Sequence, residues 1–151
     1  MSRQTTIHGG SGNDVLTGTG NDDLMLAWEG NDRLYGGLGR DSLTGGYGDD
    51  TFVIACSDLD YGQRGDLIDF GVPGHGRDTI ELRGFDFTQL IDGVNFFSGD
   101  PIRTDDPVLY YYDQVLYYMP YGTNTDAMAL EVLFFKAELT GLSASSFTLV
   151  P

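Results

Sequence analysis

One cysteine and one lysine are all that the 151 residues contain of those types. With Cys56 alone, no disulfide can close within the chain; it follows the strand-like run Phe52-Val53-Ile54-Ala55 and reads as a small buried residue. Long apolar runs are missing as well. None reaches the roughly 18 residues of a membrane span, and residues 1–26 hold no apolar stretch of signal-peptide length behind a basic start. Positive charge is scarce, with 8 basic against 23 acidic residues and a net charge of −15. Such a surplus disfavours nucleic acid and anionic membrane as partners, and the chain repels itself unless divalent cations neutralise it. Catalytic patterns are absent too: there is no His-Glu-x-x-His, no Gly-x-Ser-x-Gly and no phosphate-cradling glycine loop with its lysine. His8 and His75 lie far apart, with no cysteine cluster to build a zinc site. The chain therefore reads as a non-enzyme.

Glycine and aspartate are what it has in excess, with 22 glycines and 19 Asp against 4 Glu. From Gly9 to Val53 they fall into a repeated phrase of nine. Gly9-Gly10-Ser11-Gly12-Asn13-Asp14-Val15-Leu16-Thr17 is the first copy, and Gly20-Asn21-Asp22-Asp23-Leu24-Met25 ends a degenerate second. The third runs Gly30-Asn31-Asp32-Arg33-Leu34-Tyr35, and the fourth begins at Gly36 and carries Gly39-Arg40-Asp41. The fifth begins at Gly45 and carries Gly48-Asp49-Asp50-Thr51-Phe52-Val53. Counted on Asp14, Asp22 and Asp32, the register slips in the second copy and recovers in the third, with Thr17 at the leading place. In the third copy Ala27 and Trp28 stand where two glycines belong; Trp28 either faces a partner or covers the slipped turn.

A fixed period of this kind dictates stacked units. The glycine-rich first six places make a tight turn with carbonyls facing inward, and the aspartate adds a carboxylate. Carbonyl and carboxylate oxygens on a pliable loop suit Ca²⁺ better than Mg²⁺, which demands a stiffer octahedron. The last three places form a short strand turning one apolar side chain inward, namely Leu16, Leu24, Leu34, Leu43 and Phe52. Ile7, nine before Leu16, predicts an earlier strand. One apolar side chain per nine residues is a thin core, so the stack is expected to need its metal to fold.

These residues resemble the Gly-Gly-x-Gly-x-Asp-x-U-x nonapeptide of RTX (repeats-in-toxin) proteins. The resemblance implies an all-β fold: a right-handed parallel β-roll over residues 1–56, followed over 57–151 by a C-terminal β-sheet or sandwich cap. It implies Ca²⁺ between loops two repeats apart, with Asp14, Asp32 and Asp50 along one edge and Asp22 and Asp41 along the other. About three or more ions would bind, completed by carbonyls of Gly10, Gly12, Gly20, Gly30, Gly37, Gly39, Gly46 and Gly48. It further implies a secreted, extracellular protein that leaves the cell unfolded through type I secretion machinery.

Beyond the repeats, Ser57 to Gly65 reads as a solvated loop. Asp66-Leu67-Ile68-Asp69-Phe70 and Asp78-Thr79-Ile80-Glu81-Leu82 read as short strands and resemble those that follow the roll in RTX proteases. In such relatives acidic residues here complete the last half-sites, so Asp69 and Asp78 either bind metal or face water. Val108–Tyr112 and Val115–Met119 predict a hairpin whose tyrosines either cover a core or present a glycan platform. Leu130–Leu139 predicts a further strand, covered on both faces. Leu139 to Val150 reads as a terminal strand after a polar turn and resembles the uncleaved export signal of RTX proteins. Two further readings are a polysaccharide-binding appendage similar to the modules of alginate epimerases, with a basic strip for an anionic sugar, and the non-catalytic tail of a larger toxin, lipase or protease.

Overall fold

The computed structural model describes residues 4–59, 65–71, 76–85, 96–98, 108–112, 115–119, 130–135 and 144–151. Alternating side chains in the nine-residue unit produce its first half. Strands β1 (Thr5–Ser11), β3 (Asp23–Glu29) and β5 (Ser42–Tyr47) lie in one parallel sheet. β2 (Val15–Thr17), β4 (Arg33–Tyr35) and β6 (Thr51–Ala55) lie in a second. Each strand pairs with the one two repeats later, as in Val15↔Arg33↔Thr51, so one full turn of the roll takes two nonapeptides. A strand points successive side chains to opposite faces, and the sequence obeys: Leu16 is buried between exposed Val15 and Thr17. Leu34 and Leu43 are fully buried between half-buried neighbours, and in β6 fully buried Phe52 is followed by buried Val53 and Ile54. β1 is the early strand that Ile7 predicted, and Ile7 packs against the core.

In the second repeat the structure corrects the expected register. Met25 is the buried apolar side chain and Leu24 is only half-buried. Asp23, not Asp22, takes the sixth place, and Gly18, not Thr17, leads the unit. Measured on Asp14, Asp23, Asp32, Asp41 and Asp50 the period is an unbroken nine. Adjacent Asp22-Asp23 and Leu24-Met25 offer two equally polar and two equally apolar candidates, and only strand pairing separates them: Met25 lies opposite Ile7 and Leu43.

Both sheets run on through the division expected at residue 56. β7 (Asp66–Gly71) adds to β5 and β8 (Thr79–Arg83) adds to β6, each parallel. They bring Ile68, Ile80 and Leu82 into the same core. The first sheet then continues through β12 (Leu130–Phe135), β11 (Val115–Met119), β10 (Val108–Tyr112) and β9 (Phe96–Ser98), giving the order β1-β3-β5-β7-β12-β11-β10-β9. β10 and β11 form the predicted hairpin. β13 (Phe147–Val150) closes the second sheet alongside β8. Leu116 and Tyr118 of β11 reach the common core, where Tyr118 meets Phe85 edge-on with ring centroids 4.9 Å apart. Tyr118 thus covers a core, as one reading of the tyrosines held. The side chains of Tyr110–Tyr112 and of β12, residues 136–139 and His75 lie outside the described residues. Cys56 opens a short 3-10 turn, Cys56–Asp58, and is half-buried against the core rather than enclosed in it.

Candidate calcium-binding loops

The turns between strands stack along two edges of the roll. One edge carries Asp14, Asp32 and Asp50, and the other carries Asp23 and Asp41. The backbone N–H of each aspartate donates to the carboxylate one turn later. Asp14 N–H reaches Asp32 Oδ1 at 2.8 Å, Asp32 reaches Asp50 at 2.8 Å and Asp50 reaches Asp78 at 2.9 Å. On the other edge Asp23 N–H donates to Asp41 Oδ1 at 2.8 Å and Asp41 to Asp66 Oδ1 at 2.9 Å. Asp78 therefore joins the array, whereas Asp69 does not; Asp66, three residues earlier, holds the equivalent place. Asp69 lies within β7, opposite Thr44.

A second ladder runs beside the first in the opposite direction. Asn31 N–H donates to Asn13 Oδ1, Asp49 N–H to Asn31 Oδ1 and Arg77 N–H to Asp49 Oδ1, at 2.8 to 3.0 Å. Arg40 N–H donates to Asp22 Oδ1 at 3.0 Å. This is where Asp22 belongs: it stitches loops at the fifth place. Sequence reasoning passed over Asn13, Asn31 and Asp49 and gave Asp22 a metal-binding place instead, although the recurring Asn/Asp-Asp pairs at 13–14, 22–23, 31–32 and 49–50 are their signal.

Stacking also explains the glycines. A Cβ on Gly46 would lie 2.1 Å from the Trp28 carbonyl oxygen, and one on Gly48 would lie 2.1 Å from that of Gly30. Both glycines have φ near +120°, which side chains with a Cβ rarely adopt. Carbonyls of one loop thus press against the backbone of the next, two repeats on. Gly10, Gly12, Gly30, Gly37 and Gly39 occupy corresponding places. Gly20 does not: it falls at the third place, and it is the Asn21 carbonyl that lies against Gly39.

The carboxylates between these loops are poorly satisfied. Asp23, Asp32, Asp41 and Asp50 are all 2% exposed or less. Each keeps one buried oxygen without a hydrogen-bond donor: Asp23 Oδ1 and the Oδ2 atoms of Asp32, Asp41 and Asp50. A buried carboxylate oxygen without a partner is costly. Burial pushes the Asp41 carboxyl up to about 6, against the opposing hydrogen bond from Asp23 N–H and with help from the Asp23 charge. Burial likewise raises Asp66 to about 7 and Asp78 to about 6, and moves Asp32 and Asp50 upward. Among the described residues no three acidic, histidine or cysteine side chains gather into a metal cluster. An ion between two loops would therefore be held by backbone carbonyls with few carboxylates, an all-oxygen donor set that fits Ca²⁺.

On the outer face of the second sheet Arg33 and Arg83 both reach Glu81 Oε1 at 2.6 Å. These pairs, the Arg33 hydrogen bond foremost, hold the Glu81 carboxyl below its ordinary range. Two arginines of the expected basic strip thus already share a carboxylate. Nearby, the Tyr35 hydroxyl donates to Asp58, which pushes the phenol up to about 12.

A sequence profile of the RTX calcium-binding nonapeptide repeat matches residues 4–34 and 29–53, in four copies. No curated protein matches the chain. Among solved structures, the solution structure of the AlgE6R3 subunit from the Azotobacter vinelandii mannuronan C5-epimerase aligns with a TM-score of 0.61 and 28% sequence identity. The alignment covers 96% of this chain and 77% of that one. Repeats of this type form non-catalytic, calcium-binding modules. With the stacked loops, the two parallel sheets and these matches together, residues 4–53 are RTX calcium-binding nonapeptide repeats wound as a parallel β-roll.

Proposed function

We propose that the chain is a calcium-triggered folding module of a secreted protein, unfolded in a calcium-poor cytosol and ordered outside the cell. The observation that carries this reading is the set of buried carboxylate oxygens without donors. Asp14, Asp32 and Asp50 on one edge, and Asp23 and Asp41 on the other, would share Ca²⁺ with the carbonyls of neighbouring loops. Three complete inter-loop sites follow, with Asp66 and Asp78 closing half-sites at the capped end. Bound Ca²⁺ supplies positive charge where carboxylates are otherwise uncompensated. Ions that bind only the folded form stabilise it by mass action, about 1.4 kcal/mol for each site at about tenfold its dissociation constant. Residues 57–151 act as the cap, extending both sheets so that one end of the stack is covered, as repeat arrays require. The Leu139–Val150 segment serves as a type I export signal read before folding, and its Phe147–Val150 part forms strand β13 afterwards. Circular dichroism tests this: a coil-like spectrum in chelator should become β-like with Ca²⁺ and not with equal Mg²⁺. A β-rich spectrum unchanged by chelator would remove the reading.

A second reading, a polysaccharide-binding appendage, is supported by the likeness to a subunit of a mannuronan C5-epimerase. Isothermal titration with alginate oligomers tests it, and no heat would exclude it.

A further inference from the structure

The third repeat breaks its own rule on one loop edge. Its second place, glycine in the loops of Gly10 and Gly46, holds Trp28 at φ 84°, the one positive-φ residue other than glycine among those described. A bulky side chain there is strained where glycine is not. The indole is nonetheless 56% exposed, so no core packing offsets the strain. Strand pairing sets Trp28 between Gly10 and Gly46, and Glu29 between Ser11 and Tyr47. The glycine rungs carry no side chain, so the indole stands in a trough. Tyr47, 47% exposed, is set one rung away and one place further along. Together Gly10, Ser11, Trp28, Glu29 and Tyr47 line an open groove of about 360 Å³.

We propose that this groove binds a neutral glycan chain, with a pyranose ring stacked on the Trp28 indole, Tyr47 extending the platform, and Glu29 and Ser11 hydrogen-bonding to sugar hydroxyls. Aromatic faces offer rigid apolar area, and a few polar groups at the rim of such a surface fix orientation. Charge selects the class. Among the described residues Glu29 is the one charged side chain lining the groove and no cation lines it, so there an anionic chain meets a carboxylate without counter-charge. The groove exists only while the loops are stacked, so the proposal rests on calcium-dependent folding.

The test uses the full chain in Ca²⁺, with its β-rich spectrum verified first, so that a failure to fold is separated from a failure to bind. Trp28 is the only tryptophan, so in the folded chain a change in emission on adding sugar reports on the groove. Neutral hexasaccharides of glucose, mannose and N-acetylglucosamine, and an anionic hexauronate, are titrated by fluorescence and calorimetry. A saturable change in Trp28 emission with a neutral sugar is expected. Trp28→Gly should weaken the calorimetric affinity at least tenfold while keeping the calcium-induced β signal, since glycine suits the backbone there; Tyr47→Ala should cause a smaller loss. A folded chain that answers no neutral sugar, or only the hexauronate, overturns the proposal. So does neutral-sugar binding unaffected by Trp28→Gly, or sugar-free self-association in sedimentation that Trp28→Gly abolishes.

Discussion

Asp22 and Asp23 are neighbours of identical chemistry placed in unlike surroundings. Asp23 is enclosed and its Oδ2 accepts from both the N–H and the hydroxyl of Thr19, at 2.6 and 2.9 Å; Asp22 is exposed and accepts from Arg40 N–H. Asp23→Ala should accordingly lower stability in Ca²⁺ by about 1–3 kcal/mol, the range for stranding buried partners. Asp22→Ala should cost about 1 kcal/mol or less, as one exposed hydrogen bond does. Urea denaturation of both variants in saturating Ca²⁺ measures the difference, and equal losses would contradict the assigned register. Asn31 gives a further contrast, since it joins the loops on both sides. Asn31→Ala should weaken calcium-induced folding although no metal is assigned to its side chain, a shift readable as a higher Ca²⁺ midpoint in circular dichroism.

At the scale of the loop edges, like charges are stacked at turn spacing in a dry environment. The folded-state carboxyls of Asp41 and Asp78 near 6 and of Asp66 near 7 exceed the ordinary value of 3.8. A raised carboxyl binds its proton more tightly folded than unfolded, so the fold loses stability as pH climbs from about 4 through 7. The metal-free chain should thus be more stable at pH 4.5 than at pH 7.5, and Ca²⁺, which competes with those protons, should reverse the order. Circular dichroism in chelator and in Ca²⁺ at the two pH values checks the sign: in chelator the β signal should be greater at pH 4.5, and the Ca²⁺ needed for half of the folded signal should be lower at pH 7.5. The edges also show how far the sequence could be read. Asp14, Asp32, Asp41 and Asp50 were legible because glycine fixes their phase. Asp23 was not, because Asn21 replaces the fourth-place glycine and leaves the count ambiguous. Asp66 was hidden for another reason: longer connections precede the last two strands, so the nine-residue count no longer reaches them, and only its pairing with Asp41 N–H reveals it.

Over the whole molecule, two continuous sheets join the repeats to the C-terminal strands. Leu43, fully buried at the middle of the roll, should cost about 2–5 kcal/mol when changed to alanine. With no seam in the sheets, the loss should be felt across the chain. Trp28 emission reports on the roll and far-UV circular dichroism on all strands; in Ca²⁺ the two unfolding curves of Leu43→Ala should coincide, as for a single cooperative unit. Separate transitions would mean that the C-terminal strands stand without the roll. The all-β architecture, the hairpin and the roll were legible because alternation and period are local properties. The extension of the first sheet through β12 was not, since pairing between distant strands leaves no local mark.

The last two turns of the roll are wider in sequence than the rest. Aspartates joined by hydrogen bonds are 18 residues apart in the repeats but 25 apart from Asp41 to Asp66 and 28 apart from Asp50 to Asp78, yet the bond lengths barely change. The ladder thus tolerates longer connections before β7 and β8 without losing step. Chain closure becomes only slowly harder with length, about 0.6 kcal/mol per doubling, so this level of the scaffold can carry grafted or variable segments while the repeat turns beneath keep their spacing.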